Sequence, residues 1–395
     1  MIAQVSDVEE FRQEIRGWLE QNCPPAMRTP MPGDEVPYGG KRGGPVKNSD
    51  TQKWTELAGA RGLTLPTVPK EWGGGGLTDA EAKVVAQEMR RINARPPLVG
   101  SGLALLVPAL LAYGTEEQKR TFIPPIARGE VRWCQGFSEP EAGSDLASLR
   151  MSAESDGSDY VLNGQKTWTS FATVADWMFC LARTDPNAPT RQQGISMFLI
   201  DMETSGLSVR PIRLINGDTE FCESFFDNVR VPAENILGEL NRGWDVAKVL
   251  LRAEREDVRP WIEASYSFPV VELWREQRCT AAEITQRVIQ SELDRLGLDA
   301  LMDRARADAA RGDARAERFA NILKIVNGEY QQERAELAVY LLGEDGLTWS
   351  GGELLGGDAA TTRDWLTSRA FSIAGGSTEI QLNILSKRWL GLPVA

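Results

Sequence analysis

The sequence contains no histidine in its 395 residues. That excludes Ser-His-Asp and Cys-His nucleophilic triads, histidine-ligated zinc or iron, and an imidazole general base. No metal centre is expected, and proton transfer must rest on a carboxylate, a lysine, a tyrosine, a cysteine or a cofactor. Cysteine is scarce too. Cys23, Cys134, Cys180, Cys222 and Cys279 are scattered, odd in number and without C-x-x-C spacing, which suits buried apolar filler in a reducing cytoplasm. Long apolar runs are missing: the best, residues 103–113, is broken by Pro108 and too short to span a bilayer. The N-terminal segment is acidic and helical in period, with no apolar signal core. Basic charge is in deficit, 44 Lys and Arg against 56 Asp and Glu, for a formal net charge of −12. Such a chain lacks the basic face that nucleic-acid phosphates or an anionic membrane would need. The absences together predict a cytoplasmic protein with neither partner.

What is present is an ordinary globular composition, 42% hydrophobic and 25% charged, in a chain long enough for two or three domains. The first third reads as helix. Ser6 and Glu9 have capping-box spacing, with Val8, Phe11, Ile15 and Leu19 on one helical face. A loop rich in Pro and Gly covers 24–47. Thr78 with Glu81, and Thr115 with Gln118, cap two further helices, the first over 82–92. Near residue 131 the period changes. Apolar and β-branched segments at 131–137, 150–154, 159–162, 165–170, 177–182, 195–201, 206–212 and 223–231 predict strands. Asn163 and Gly164 read as the hairpin turn between two of them, since both turn positions need positive φ. Short, evenly spaced strands predict a small β-barrel or sandwich. Helix returns from Gly243 through 342, with an Ala/Arg-rich stretch at 303–320 expected to be a solvated face. Glycines within 343–346 and 351–357 interrupt it before a last helix over about 378–389. The expected fold class is α+β multidomain: an α-helical domain over 1–130, a central β-domain over 131–240 and a helical domain over 241–395.

Two glycine-containing strings suggest phosphate loops and fail on spacing. In 157–167, Gln165 separates Gly164 from Lys166, and the segment is β rather than a strand-to-helix turn. The glycines at 73–76 follow no strand and lack G-x-G-x-x-G spacing, so a dinucleotide would need another architecture.

The middle segment carries WCQGFSEPEAGSDLASLR and then NGQKTWTS. Taken alone, these are ordinary strand and turn residues. Together they resemble the flavin-binding signatures of the acyl-CoA dehydrogenase family. PKEWGGGGLTDAEA, YGTEEQKRTFIPPIARGE, FFDNVRVPAENILGELNRGW and SIAGGSTEIQLNILSKRWLGLP resemble further family segments in the family's order. The resemblance implies FAD as cofactor, an acyl-CoA substrate and a C-terminal four-helix bundle beside the helical and β domains. By position it implies Gln135, Phe137, Ser138, Trp168, Thr169 and Ser170 along the flavin, and Ser144 toward the CoA. Ser377 and Glu379 would contact FAD, with the helix that starts there offering its N-terminal dipole to phosphate. Arg255 and Lys387 occupy suggestive positions for CoA, with plain surface charge as the alternative for each. The family also implies an electron-transferring flavoprotein as acceptor, and a homodimer, homotetramer or mixed oligomer.

The implied chemistry needs a carboxylate over the substrate Cα. One branch of the family carries it in a Tyr-Glu-Gly-Thr string; here the matching residues are Ala374, Gly375, Gly376 and Ser377, so glycine replaces that glutamate. A second branch places it in a Glu-Arg pair on the first long helix after the β-domain. GWDVAKVLLRAERED puts Glu254 and Arg255 there, and Glu254 is the expected base. Read without the resemblance, Glu254 is one charge in a solvated run with Arg252, Glu256 and Asp257. The Arg-x-x-Phe-Gly segment of many relatives is not recognisable between 257 and 300. Trp261, Tyr266, Phe268 and Trp274 stand there instead, as core or as a reshaped substrate wall. A non-catalytic partner subunit, or a nitroalkane oxidase or flavin monooxygenase on the same fold, remain open alternatives.

Overall fold

The computed structural model describes residues 2–32, 35–44, 47–256, 268–313, 315–347 and 359–393. Helix α1 (Ile2–Asn22) buries Ile15 and Leu19 against Trp54 and Ala58 of α2 (Ser49–Ala60) and Val84 and Val85 of α3 (Asp79–Arg91). It begins at Ile2, so Ser6 lies inside the helix and does not cap it as expected. An ion cluster adds direction to this apolar contact. Glu88 of α3, its side chain 3% exposed, accepts from Arg12 at 3.1 Å, Arg16 at 2.9 Å and Arg91 at 2.7 Å. Those guanidinium groups, Arg16 foremost, hold its carboxyl down to about 2. Capping boxes form at Thr78 and Glu81 ahead of α3, and at Thr115 and Gln118 ahead of α5 (Glu116–Ala127), which follows α4 (Val107–Tyr113).

The middle of the chain forms one connected eight-stranded sheet: β1 (Trp133–Gly136), β2 (Ser152–Asp156), β3 (Asp159–Ser170), β4 (Trp177–Arg183), β5 (Ile195–Asp201), β6 (Leu207–Pro211), β7 (Phe221–Pro232) and β8 (Ile236–Leu237). The order is β6-β7-β3-β2-β4-β5-β8, with β1 parallel to β4. Helix α5 docks on it through Gln118, whose amide donates to the carbonyls of Glu234 and Ile236 at 2.8 Å each. Phe122 of α5 meets Trp133 and Trp177 edge-on. Inside the sheet Leu162, Phe198, Ile200 and Val229 pack with Cys134, Cys180 and Cys222. Burial pushes the Cys180 thiol up to about 12, so it behaves as an apolar side chain.

The expected strands 159–162 and 165–170 are one strand. The turn between β2 and β3 falls at Gly157 and Ser158, with Asp156 opposite Asp159. Asn163 and Gly164 instead lie at a shift in the β3–β7 register. Gly164 has φ +148°, and a Cβ there would come within 2.9 Å of Met151 Cα. A bulge and a hairpin turn draw on the same glycine freedom, which is why the dipeptide misleads.

The described chain divides into two compact units, Met1–Ile212 with Glu220–Leu250, and Arg213–Thr219 with Leu251–Ala395. Helix α6 (Gly243–Glu256) begins in the first and ends in the second. The second unit contains α7 (Val270–Glu276), α8 (Ala282–Ala310), α9 (Arg315–Leu342), α10 (Ala359–Ser368) and α11 (Thr378–Ile384), which continues as a π-helical turn, Leu385–Trp389. Helix α9 is its spine, packing against α7, α8, α10 and α11. Phe268 is buried in this core and Trp274 packs against it. Trp261, Tyr266 and the glycines of 351–357 lie outside the described residues. The stretch at 303–320 is not wholly solvated, because Asp308 is fully buried between Arg304 and Arg311. Among the described residues no helix is long and apolar enough to cross a membrane, and no cluster of Cys, Asp or Glu could hold a metal ion.

Candidate active site

The two signature strings meet along β1 and β3. Strand β1 runs into Phe137, buried, and Ser138, half-buried, and the Ser138 carbonyl accepts from Thr167 N at 2.9 Å. One residue on, the chain turns sharply: Glu139 and Ala142 exchange backbone hydrogen bonds, each 3.0 Å. Beneath the turn lies a buried ion pair. Lys166 Nζ, fully enclosed, donates to Glu139 Oε1 at 2.8 Å and to the Phe137 carbonyl at 3.1 Å. The Glu139 carboxylate also accepts from Arg150 N at 2.7 Å and Met151 N at 3.0 Å. Every polar atom of the pair is occupied, as a buried pair requires.

Immediately after Lys166 the strand bulges. Lys166 pairs with Ser224 and Thr169 with Cys222, so Thr167 and Trp168 share a single residue, Glu223, on β7. Trp168 takes a left-handed φ of +58°, rare for a bulky side chain, and its indole is 56% exposed while resting edge-on against Phe221. Thr169 turns the other way: it is fully buried, and its hydroxyl has no hydrogen-bond partner among the described residues. Ser170 is half-buried and Gln135 likewise, on β1. The structure thus brings Ser138 beside the bulge that carries Trp168, with Phe137 buried against Phe179 one residue earlier, while the enclosed Thr169 hydroxyl is left unengaged among the described residues. Ser144 sits exposed on the turn that follows, next to Asp145, which pairs with Arg191 at 2.7 Å.

The remaining expected residues belong to the second unit. Glu254 and Arg255 lie in the last turn of α6, and their side chains lie outside the described residues. Ser377 caps α11, its hydroxyl accepting from Ile380 N at 3.4 Å. The Glu379 carboxyl is lowered by its own backbone N–H and then by the Ser377 hydroxyl. Lys387 is exposed on the π-helical turn. Gly375 has φ +66°, and among the described residues a Cβ built there would meet only Lys324 Cε, at 3.7 Å. Lys324, on α9, is half-buried and donates to the Phe371 carbonyl at 2.5 Å; desolvation lowers its pKa.

Sequence reasoning missed Glu139, Lys166 and Lys324 as parts of this architecture. A lysine at an inward position of a strand is the signal that could have marked Lys166. Its partner is 27 residues away and nothing local points to it.

An exposed indole face, with half-buried Ser138 and Ser170 hydroxyls that no atom of the described residues engages, suits a flat heterocycle with polar edges. The residues present fit a flavin ring. Comparison with known proteins agrees. Models of the N-terminal, middle and C-terminal domains of acyl-CoA dehydrogenase match residues 6–130, 134–229 and 241–390. Acyl-CoA dehydrogenase IpdE1 of Mycobacterium tuberculosis is 37% identical over 395 residues, covering 98% of this chain and 99% of the relative. Acyl-CoA dehydrogenase FadE34 of the same organism is 40% identical over 337 residues, 84% of this chain and 45% of its own length. Among solved structures, the Tcur3481-Tcur3483 steroid ACAD superposes with a TM-score of 0.76 at 25% identity, covering 99% of this chain and 98% of that one. The ChsE4-ChsE5 complex from Mycobacterium tuberculosis gives 0.73 at 27% identity, covering 98% of each chain. The chain therefore belongs to the acyl-CoA dehydrogenase family, and it is an FAD-dependent enzyme of that family.

Proposed function

We propose that the enzyme oxidises the Cα–Cβ bond of an acyl-CoA to the trans-2-enoyl-CoA, with Glu254 as base for the α-proton. The observation that carries this reading is the bare Gly375. No carboxylate stands at the position one branch uses for its base, among the described residues Lys324 Cε alone borders it, and Glu254 is at the other branch's position on α6. Bound FAD supplies the acceptor for the Cβ hydride. Glu254 takes the α-proton, and a carboxylate desolvated against an acyl chain has its pKa raised toward working pH, as a general base needs. Gln135, Phe137, Ser138, Trp168, Thr169 and Ser170, with Ser377 and Glu379, hold the cofactor. Ser144, Arg255 and Lys387 meet the CoA. The base on a helix, and the steroid enzyme among the structural relatives, support a bulky acyl group over a short straight chain.

We take the domain limits as 1–130, 131–240 and 241–395, the enzyme as cytoplasmic, and an electron-transferring flavoprotein as its acceptor. A homodimer or homotetramer is the simplest assembly. A mixed oligomer is the second reading, favoured by two structural relatives that are named as two-protein assemblies. Flavin content and mass of the chain purified alone separate the two.

The test of the reaction is anaerobic bleaching of the bound-flavin band by a panel of acyl-CoA thioesters. Glu254→Gln is expected to retain FAD and bleach on the order of 10³-fold more slowly. Normal bleaching by that variant would overturn the assignment.

A further inference from the structure

We propose that the buried Glu139–Lys166 pair is a positioning device that joins the two flavin-facing segments into one preformed wall. Its two ends act on different segments. On one side, Lys166 Nζ holds the Phe137 carbonyl at 3.1 Å, and the Glu139 carboxylate gathers the N–H groups of Arg150 and Met151. This fixes the segment from Phe137 through the tight Glu139 to Ala142 turn. On the other side, Lys166 is the last regularly paired residue of β3 before the bulge that throws the Trp168 indole outward. A bulge with a left-handed tryptophan is a strained local choice, and it persists only where its surroundings over-determine it. The lysine supplies one fixed end. Thr169, enclosed and paired with Cys222, and Phe171 N, donating to Glu220 O at 2.6 Å, supply the other. The Ser138 carbonyl then ties directly to Thr167 N at 2.9 Å, inside the bulge itself.

A single enclosed ammonium therefore sets how far Ser138 stands from Trp168. An apolar side chain in its place would fill the volume but leave the Phe137 carbonyl and the Glu139 carboxylate without their shared donor. The pair takes no part in the oxidation and meets neither substrate nor reacting atoms. Its effect is preorganisation of the cofactor wall. This inference rests on Phe137, Ser138 and Trp168 facing the flavin.

The experiment compares holoenzymes carrying Glu139→Gln, Lys166→Met, the neutral pair Glu139→Gln/Lys166→Gln, and Trp168→Ala as a control. FAD release after dilution, the visible circular dichroism of the bound flavin and thermal melting are read for each. Either single variant leaves a buried charge without its counter-charge and is expected to be the most damaged, to the point of folding poorly. The neutral pair removes the unpaired charge, but glutamine is too short to reach both Phe137 and residue 139. It is expected to fold and melt close to wild type, yet release FAD at least tenfold faster with altered visible dichroism. The double variant being milder than either single one is the non-additivity that marks a coupled pair. A folded neutral pair with wild-type FAD release and dichroism overturns the proposal. If Trp168→Ala also leaves FAD release unchanged, the flavin-facing assignment falls with it; if Trp168→Ala speeds release and the neutral pair does not, the pair alone falls.

Discussion

Lys166 in the sheet and Lys324 in the helical unit are both taken out of water, and the chain treats them in opposite ways. Lys166 is fully enclosed with a carboxylate at 2.8 Å and a carbonyl at 3.1 Å. Lys324 is half-buried, has one carbonyl, and meets no carboxylate within ion-pair distance among the described residues. The sheet unit satisfies its internal charge by itself. In the helical unit Asp308 is paired as fully, between Arg304 and Arg311, and Lys324 is the exception. Among the described residues, enclosed atoms without a hydrogen-bond partner occur in both units, Trp133, Thr169 and Ser224 in the first and Gln331, Trp365, Gln381 and Trp389 in the second, while Ile289, Leu293 and Leu296 stand exposed along α8. A buried charge that is fully paired belongs to the scaffold. One that is dehydrated and left short of partners is the kind found where a protein meets something else.

The largest effect that would test this contrast is on stability. Lys166→Met strands a buried carboxylate and is expected to cost about 3–5 kcal/mol, lowering the melting temperature by roughly 10 °C. Lys324→Met removes a dehydrated cation with no counter-ion among the described residues and should cost less than about 1 kcal/mol. Equal losses in the two melts would break the comparison.

A middle-sized effect lies in the first helices. The folded pKa of Glu88, about 2, is below its ordinary 4.5, so its contribution is complete above pH 4.5 and is lost as pH falls toward 2. Glu88→Gln should lower the melting temperature at pH 7 by roughly 5 °C and flatten the melt-versus-pH curve between pH 4.5 and 2. An unchanged slope there would mean the three arginines around Glu88 do not stabilise its charge.

The smallest effect sharpens the view of Lys324. Gly375→Glu gives that lysine a nearby carboxylate but forces a side chain into left-handed φ, a strain of about 1 kcal/mol. With the two contributions opposed, the melting temperature should move by no more than roughly 2 °C. A fall several times larger would show that Lys324 Cε closes the space beside residue 375.

Local signals in the sequence were legible where local physics decides. Thr78 and Glu81 satisfy orphan N–H groups three residues apart, and both capping boxes form as the spacing predicts. Ser6 and Glu9 have the same spacing, yet α1 starts earlier, because a capping box can be overridden when the preceding residues also extend the helix. Asn163 and Gly164 fail for another reason: permissive backbone marks an irregularity without saying whether the chain reverses or only kinks. The signature strings located the strip around Trp168, but not the bulge, the inward turn of Thr169, or the ion pair beneath them. Those depend on which residues β7 and the Glu139 turn place opposite β3, and pairings across 27 residues or more leave no periodicity to read.

The sulfur distribution has a practical consequence. Cys23, Cys134, Cys180 and Cys222 are enclosed, while Cys279 is partly open just beyond α7. A maleimide dye applied to the native enzyme should attach at that one position without any engineering. The enclosed thiols would react only as their surroundings open, so further labelling reports unfolding. The dye count per chain would then separate the native enzyme, with one label, from the opened one, with up to five.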